Sequence, residues 1–462
     1  MTDAGRTIVA RATAPGRSAL AILRVSGPEA VPVVAACFRG ADLNAAASHT
    51  AHVGFLLAPD GSDIDQVVVT IFRAPRSATG EDVVEVSCHG GDFAPLLILQ
   101  SLLAHGSHMA APGEFTQRAF LNGKLDLAQA EAVADLIHAS STLAHRVSLS
   151  HLQGRYSEVL ARLREELLEL CAFVELELDF SEEDVAFADR GRLVRLLDHS
   201  EHLLDELLGS YQIGALLRDG VRVVIGGRPN AGKSTLLNAL VGRDRAIVSP
   251  IPGTTRDEIE AEVEMEGLRF RFVDTAGLRE AADAIELEGV RRARRSMETC
   301  DVLLYIYDLQ SGLDAEERAF LAGVQVLQPL LPVLLVGNKE DLVPAVLSPE
   351  VEGVVFIGLA ARSALPEASL LDPLVSLLVE TVAAGLNRAE GSPVVMNQRH
   401  REHLGRALAA VRAARHALDA EASGDTLALD LRVALHELGS ITGAITNEDV
   451  LDQIFSRFCI GK

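Results

Sequence analysis

The residues best suited to chemistry lie in the segment "GRPNAGKST", residues 227–235. Gly227, Gly232, Lys233 and Ser234 have the spacing G-x-x-x-x-G-K-[ST], between the β-branched run "VRVVIGG" and the helical run "LLNAL". At such a junction the glycines let backbone N–H groups surround phosphates, and the start of the helix adds positive potential. Lys233 is expected to reach the β- and γ-phosphates, and Ser234 is expected to ligate Mg²⁺.

Two further motifs follow predicted strands. "DTAG" begins at Asp274, where a carboxylate can hold Mg²⁺ through water and Gly277 can offer its N–H to a γ-phosphate. "NKED" runs from Asn338 to Asp341, and a carboxylate there can accept both N1–H and the amino group of guanine. With "GTTRD" at 253–257, the order and spacing are typical of Ras-like GTPases, and GTP is favoured over ATP.

The residue after Gly277 is Leu278, where Ras-type enzymes carry the glutamine that orients the attacking water. Another group must therefore position the water. Another charge must also take the place of an arginine finger.

The end of the chain, "DQIFSRFCIGK", places Cys459 fourth from the last residue. A lipid anchor, a frayed end with a chance thiol, and a reactive cysteine on a short tail are the alternatives. Lys462 is not a usual prenylation residue and no polybasic run precedes it, which argues against an anchor. Phe455 and Phe458 can dock the preceding helix, which argues against a frayed end.

These groups belong to a chain of 462 residues that is 48% hydrophobic and 23% charged, enough for about three globular domains. A formal charge of −23 disfavours a surface that coats nucleic acid, so any RNA contact is local or made through a partner. Five scattered cysteines without a CxxC pair argue against a disulfide framework and a structural zinc. No signal-like or membrane-length apolar run occurs, so we expect a cytoplasmic protein without a membrane role.

Periodicity changes along the chain predict four segments. Residues 1–118 alternate β-rich runs such as "LAILRVSG" with helix-length apolar stretches and predict a mixed α/β domain. Residues 119–215 and 383–462 carry helical leucine spacing, and "TNED" predicts a capped final helix. Residues 216–382 predict a doubly wound P-loop domain inserted between the two parts of a helical bundle domain.

Along almost its whole length the chain resembles the MnmE (TrmE) family of bacterial tRNA wobble-uridine modification GTPases. The stretches that carry the resemblance are "TIVARATAPGR", "ILRVSG", "TGEDVVE", "CHGG", "PGEFTQRAFLNGKLDLAQAEAVADLI", "GRPNAGKS", "GTTRD", "DTAGLRE" and "FCIGK".

For the G domain, the resemblance implies hydrolysis assisted by K⁺ when two G domains dimerise. The matching K⁺ ligands are Asn230, Ser249, Ile251 and Thr254; those for Mg²⁺ are Ser234 and Thr255; and Glu286 orients the water, with Asp274 also in the catalytic set. The matching GTP contacts are Asn230, Ala231, Gly232, Lys233, Ser234, Thr235, Ser249, Thr254, Thr255, Asp274, Thr275, Ala276, Gly277, Asn338, Lys339, Asp341, Ala360 and Ala361. Ala360 stands where the family usually has serine, so the side-chain support of that loop differs here.

For the N-terminal domain, the resemblance implies a homodimer that binds 5-formyl- or 5,10-methylene-tetrahydrofolate. The matching contacts are Arg24, Glu85, Lys124 and the terminal Lys462. A carboxylate such as Glu85 can pair with adjacent N–H groups of a pterin, and the cations can meet glutamyl carboxylates. The resemblance also makes Cys459 the candidate reactive thiol near the folate.

The function implied is addition of a carboxymethylaminomethyl or aminomethyl group to C5 of the wobble uridine in certain tRNAs. The implied partner is an FAD protein of the MnmG (GidA) type, in a heterotetramer or larger complex, with FAD on the partner only. The alternative is an Era- or EngA-like GTPase switch in ribosome assembly. Such a protein should carry a basic RNA-binding module, whereas the G domain here is flanked by an acidic helical domain and a folate-like domain.

Overall fold

A computed structural model describes residues 5–179, 190–243, 261–274, 300–346, 349, 351, 353–365, 368–383, 394–420, 422–456 and 458–461. These residues form two compact units. The first contains Met1–Ile137, Ser150–Glu201 and Arg406–Lys462, and the second contains His138–Leu149 and His202–Gly405. The predicted domain boundaries at residues 118, 215 and 382 remain predictions.

The described residues contain thirteen α-helices. They are α1 (Ala30–Ala36), α2 (Ala94–Ala104), α3 (Glu114–Leu121), α4 (Leu127–His138), α5 (Thr142–Leu152), α6 (Arg155–Asp179), α7 (Arg190–Asp219), α8 (Lys233–Arg243), α9 (Ala315–Leu327), α10 (Asp372–Ala383), α11 (Gln398–Asp419), α12 (Gly424–Thr442) and α13 (Glu448–Phe455). Among these described helices, none combines the length and the apolar character that a membrane crossing requires.

The first unit contains a seven-stranded sheet in the order β3-β4-β5-β6-β2-β1-β7, antiparallel except for the β1–β7 pair. Its strands are β1 (Ile8–Arg11), β2 (Leu20–Ser26), β3 (Phe38–Arg39), β4 (Thr50–Leu57), β5 (Asp63–Phe72), β6 (Val83–His89) and β7 (His108–Met109). Alternation along β2 buries Ala21, Leu23 and Val25 in a core with residues of α1 and α2. Arg24 therefore projects from the opposite face, directly across from Glu85.

The helices of the first unit follow the predicted apolar spacing. Leu160, Leu163, Leu167 and Leu170 are all buried along α6, as an amphipathic helix in a bundle requires. Arg432 of α12 donates to Glu175 of α6 at 2.6 Å, so the two sequence-distant helices pack together. The prediction of one helical bundle from two parts of the chain is confirmed.

The final helix α13 is capped by Asn447, whose side chain accepts from the backbone N–H of Val450 at 2.9 Å. Phe455 and Phe458 are buried beside Leu127 of α4, which confirms that they dock the end of the chain. Gly113 lies so close to the end of α13 that a Cβ added to it would be 2.6 Å from the carbonyl oxygen of Phe455.

The second unit contains a six-stranded sheet in the order β13-β12-β11-β8-β10-β9. Its strands are β8 (Val221–Gly226), β9 (Ala261–Met265), β10 (Leu268–Asp274), β11 (Val302–Asp308), β12 (Val333–Asn338) and β13 (Val355–Gly358). Only the β9–β10 pair is antiparallel among the pairs of this sheet, all of whose strands lie in described residues. The parallel order of the strands confirms the predicted doubly wound fold, because parallel neighbours must be joined by crossover connections. It also brings the carboxyl ends of β8, β11 and β12 together at one edge of the sheet.

Candidate functional site

The loop between β8 and α8 has a backbone that few residues other than glycine could adopt. Gly227 has φ 137°, and an added Cβ would lie 2.0 Å from the carbonyl oxygen of Ile306. Gly232 has φ 105°, and its added Cβ would lie 2.0 Å from Nδ2 of Asn338. Asn230, at the exposed apex, has φ 65°, a conformation that asparagine tolerates better than most residues. The glycine spacing of the motif is therefore a steric requirement of this loop.

Lys233 is buried against its own loop. Its Nζ donates to the carbonyl oxygens of Gly227 and Arg228, both at 2.9 Å. Ser234 is exposed and Thr235 half-buried on the first turn of α8. A phosphate group at this helix start would meet an ammonium group that is already positioned, together with the first N–H groups of α8.

Asn338 connects three loops through one amide group. Its Nδ2 donates to the carbonyl of Ala231 at 2.7 Å, while its Oδ1 accepts from the N–H groups of Lys339 at 2.8 Å and Ala361 at 3.0 Å. The segment with Ala360 in the usual serine position is thus fastened through the backbone of Ala361. Two of the predicted nucleotide-binding motifs are brought together here.

Lys339 adopts φ 65° and forms an ion pair with Asp308, at the end of β11, with Nζ and Oδ2 2.6 Å apart. Partial burial raises the pKa of the Asp308 carboxyl, but the Lys339 ammonium and the Gln310 N–H outweigh it, so the pKa lies below its ordinary value. Asp341 is exposed in a short 3₁₀ helix, Glu340–Leu342, where a guanine base could reach its carboxylate.

A cleft of about 190 Å³ lies beside the P-loop apex. It is lined by Arg228, Pro229, Asn230, Ala231, Tyr307, Asp308, Ser311, Gly312, Asp314, Glu317 and Lys339. Arg228 bridges from the loop to carboxylates at the start of α9. Arg228 and Asp308 were not predicted from the sequence; the acidic run "DAEE" soon after a strand end was the available signal.

Several predicted site residues lie outside the described part of the chain. They are Ser249, Ile251, Thr254, Thr255, Thr275, Ala276, Gly277, Glu286 and Lys462. Asp274 is the last residue of β10, in register with Ile225 just before the P-loop. Asn230 is the one predicted K⁺ ligand among the described residues, and Ser234 is the one predicted Mg²⁺ ligand among them. Both ligand sets therefore remain predictions.

On the N-terminal sheet, Arg24 and Glu85 form a paired charge. Nε and Nη2 of Arg24 donate to Oε1 of Glu85 at 2.9 and 2.8 Å, and both side chains are about a quarter exposed. The Arg24 guanidinium also lies 5.8 Å from the ring centre of Phe115. Lys124 is exposed and donates to the carbonyl of Pro75 at 3.1 Å. The structure thus joins Arg24 to Glu85, and Lys124, between α3 and α4, contacts the loop that precedes β6.

That loop is held by a buried polar network around Arg118 of α3. Arg118 donates to Glu81 at 3.0 Å and to Glu114 at 2.9 Å, and its side chain is 5% exposed. Ser26 donates to Glu81 at 2.8 Å, which ties the network to β2. These residues were not predicted from the sequence, although Glu114 and Arg118 have the i, i+4 spacing of a helical ion pair.

The C-terminal tail lies beside β1 and the start of α3. The carbonyl of Cys459 accepts a long 3.5 Å hydrogen bond from the N–H of Gly113, and the Cys459 side chain is exposed. Gly461 is buried with φ 97°, and an added Cβ would lie 2.4 Å from the carbonyl oxygen of Arg11. The close approach of Gly461 to Arg11 places the tail against β1, which pairs with the strand that carries Arg24.

Comparison with known proteins covers nearly the whole chain. The family model described as the MnmE helical domain matches residues 127–459, and the model described as the GTP-binding protein TrmE N-terminus matches residues 7–124. A tRNA modification GTPase MnmE from Salinibacter ruber is 65% identical over 456 residues, which cover 99% of both chains. The protein of the same name from Cytophaga hutchinsonii is 44% identical over 100% of this chain and 99% of its own. Among solved structures, Aquifex aeolicus Era bound to GDP and AlF4⁻ is 29% identical and covers 41% of this chain and 66% of its own, with a TM-score of 0.27.

Proposed function

The chain belongs to the MnmE family of tRNA modification GTPases, and on that premise we propose how its GTP hydrolysis and its tRNA chemistry are divided. The protein is a GTP hydrolase. Hydrolysis depends on K⁺, the N-terminal sheet binds a reduced folate, and modification of the wobble uridine requires an FAD-bearing partner. The observation that carries the proposal is the joined P-loop and Asn338 geometry in a chain that is related to this family over 99% of its length.

At the nucleotide site, each described residue has a separate task. Lys233 exchanges its two loop carbonyls for β- and γ-phosphate oxygens, and Ser234 contributes its hydroxyl to Mg²⁺. Asp341 accepts from guanine, while Asn338 keeps the guanine-binding backbone against the P-loop. The bound Mg²⁺ supplies charge neutralisation on the phosphates. Asn338 already joins the P-loop to the guanine-binding segment without nucleotide, so little reorganisation of these loops accompanies the chemical step.

K⁺ dependence rests on Asn230 and Leu278. Asn230 is exposed at the apex in a left-handed conformation, so its side chain is available beside the phosphates to a cation. Leu278 cannot orient water, which leaves that task to Glu286 and the charge compensation to K⁺ when two G domains meet. Turnover in K⁺ should exceed turnover in Na⁺, and Asn230→Ala should abolish that difference. Equal rates in both cations would contradict the proposal.

The folate proposal rests on Arg24 and Glu85, which lie together on the face of the sheet opposite its helix-covered core. Both Arg24 bonds fall on Oε1 of Glu85, so Oε2 takes neither of them and can face a pterin. Lys124 and Lys462 would meet the folate tail. The bound 5-formyl- or 5,10-methylene-tetrahydrofolate supplies the one-carbon unit, and Cys459 is the thiol that serves the modification.

We further propose a cytoplasmic homodimer that joins an MnmG (GidA)-type FAD protein and acts on tRNA in a heterotetramer or larger complex. The chain's charge of −23 supports this division, because much of the grip on tRNA would come from the partner. The direct test is mass spectrometry of tRNA nucleosides from a strain that lacks this gene. Loss of carboxymethylaminomethyl or aminomethyl uridine is expected, and unchanged wobble uridines would contradict the proposal.

A further inference from the structure

Arg228, the second residue of the P-loop, contacts three carboxylates on the first turn of α9. Its Nη2 pairs with Asp314 and lies 3.0 Å from Glu316, and its Nε lies 3.9 Å from Glu317. A single exposed ion pair contributes little to stability. A planar guanidinium shared among several carboxylates is different, because its fork of donors fixes direction as well as distance.

The carboxylates that hold Arg228 are themselves fixed. Asp314 and Glu317 form a reciprocal capping box, with the Glu317 N–H donating to Asp314 at 2.9 Å and the Asp314 N–H donating to Glu317 at 3.1 Å. Glu317 is buried and also accepts from the hydroxyl of Tyr305 at 3.2 Å. The first turn of α9 is therefore a rigid attachment point.

The P-loop apex is fastened on both sides of its most exposed part. Arg228 is anchored through its side chain, and its carbonyl accepts from Lys233. Ala231, on the other side, is held by Asn338. Pro229 and Asn230 lie between these attachments, above the cleft of about 190 Å³. Because open space lies beside the apex, packing alone does not fix it, and the ion pairs of Arg228 supply a direction that packing does not.

We propose that Arg228 is a positioning residue for GTP hydrolysis: its attachment to α9 sets the position of the P-loop apex at Asn230. The inference requires only the GTPase activity. Its potassium readout, in contrast, rests on the proposed role of Asn230. Loss of this attachment should slow the chemical step more than it weakens nucleotide binding, since the binding contacts of Ser234, Asn338 and Asp341 are retained.

The experiment compares four single variants of the full-length protein, and the double variant Arg228→Ala/Asp314→Asn, with the wild type. Arg228→Ala removes the attachment, and Arg228→Lys keeps the charge without the fork. Asp314→Asn removes one carboxylate charge while asparagine still caps α9. Arg318→Ala is the matched control, because Arg318 lies on the same turn and donates to the carbonyl of Leu313. The measurements are kcat for GTP, the Kd of a fluorescent GDP analogue, Tm, and the K⁺ concentration that gives half-maximal rate.

Arg228→Ala should lower kcat by about ten-fold and change GDP affinity by less than about three-fold, the pattern of a lost transition-state contribution. Arg228→Lys should recover part of the rate, and adding Asp314→Asn to Arg228→Ala should cause little further loss. A kcat within about two-fold of wild type, or a parallel fall in kcat, affinity and Tm, would overturn the proposal. If the wild type shows no preference for K⁺, the potassium proposal fails. The role of Arg228 is still decided by whether Arg228→Ala lowers kcat more than it lowers the affinity for the GDP analogue.

Discussion

The P-loop and the Arg24–Glu85 pair are both predicted ligand sites, yet they are built in different ways. The P-loop lies within one continuous segment, and its main contacts come from backbone groups in conformations that glycine permits. Arg24 and Glu85 are 61 positions apart and meet through the register of two regular antiparallel strands. One site depends on backbone shape and the other on the charges of side chains.

In both sites, a charged group is already bonded within the protein. Lys233 bonds to its own loop carbonyls, and Arg24 bonds to Glu85. A phosphate replaces neutral carbonyls with charged oxygens, which strengthens the hydrogen bonds of Lys233. A pterin at the folate site that we propose would have to share Glu85 with an existing ion pair, so the net gain there would be smaller. Substitutions at the P-loop should therefore have the larger effects.

The largest effect is expected from Lys233→Ala. The loss of a pre-positioned charge at the phosphates should slow GTP turnover by about a thousand-fold. Folate affinity should stay within about two-fold of wild type, because the two sites use different elements. Phosphate release and folate calorimetry on one preparation test both statements, and a joint loss would show that the sites are not independent.

Cys459 in the tail should react with an alkylating reagent about a hundred-fold faster than the cysteines buried in the cores of the two units. Burial raises the pKa of Cys37, Cys88 and Cys300 to about 11, helped at Cys88 by Asp65 and at Cys300 by Asp301. Since their pKa is raised, these thiols stay protonated as pH increases until it nears that value, and protonated thiols react slowly. Cys459 is exposed.

Alkylation at pH 8 followed by peptide mass spectrometry should find Cys459 modified first. The same experiment in denaturant is the control, because all five cysteines are then exposed. Rapid labelling of Cys88 in the native protein would contradict the buried sheet core.

A smaller effect, about ten-fold in folate affinity, is expected from Glu85→Gln. The substitution keeps the size of the side chain but removes the charge that pairs with Arg24 and, as we propose, with the pterin. Asp63→Asn is the matched control, because Asp63 also pairs with an arginine, Arg39 at 2.7 Å, but is half exposed. Calorimetry with 5-formyltetrahydrofolate should separate the two variants. Equal affinities would remove Glu85 from the site.

The smallest effect is expected from Asn447→Ala at the start of α13. Loss of the cap should lower the free energy of unfolding of this helix by about 1 kcal/mol. Hydrogen exchange should increase across 448–455, with GTP turnover unchanged. Exchange equal to that of wild type would mean that the packing of Phe455 and Phe458 alone holds the tail.

The comparison also explains what the sequence could predict. The P-loop, the Asn338 motif and the helix-capping segment are local, so each residue type has a reason that its neighbours reveal. The pairing of Arg24 with Glu85, the Arg118 network and the attachment of Arg228 to α9 depend on strand register and on crossovers between distant segments. Local sequence patterns do not predict contacts between such distant segments, although the sequence "DAEE" does predict the capping box of α9.

We propose that one chain carries two separable functions, GTP hydrolysis at Lys233 and tRNA modification that needs Cys459. The decisive experiment follows phosphate release and modified wobble uridine from the same purified Cys459→Ser protein with the FAD-bearing partner that we propose. We expect GTP turnover at the wild-type rate and no modified uridine, since one atom changes on an exposed tail. Modification at the wild-type rate, or loss of both activities together, would contradict it.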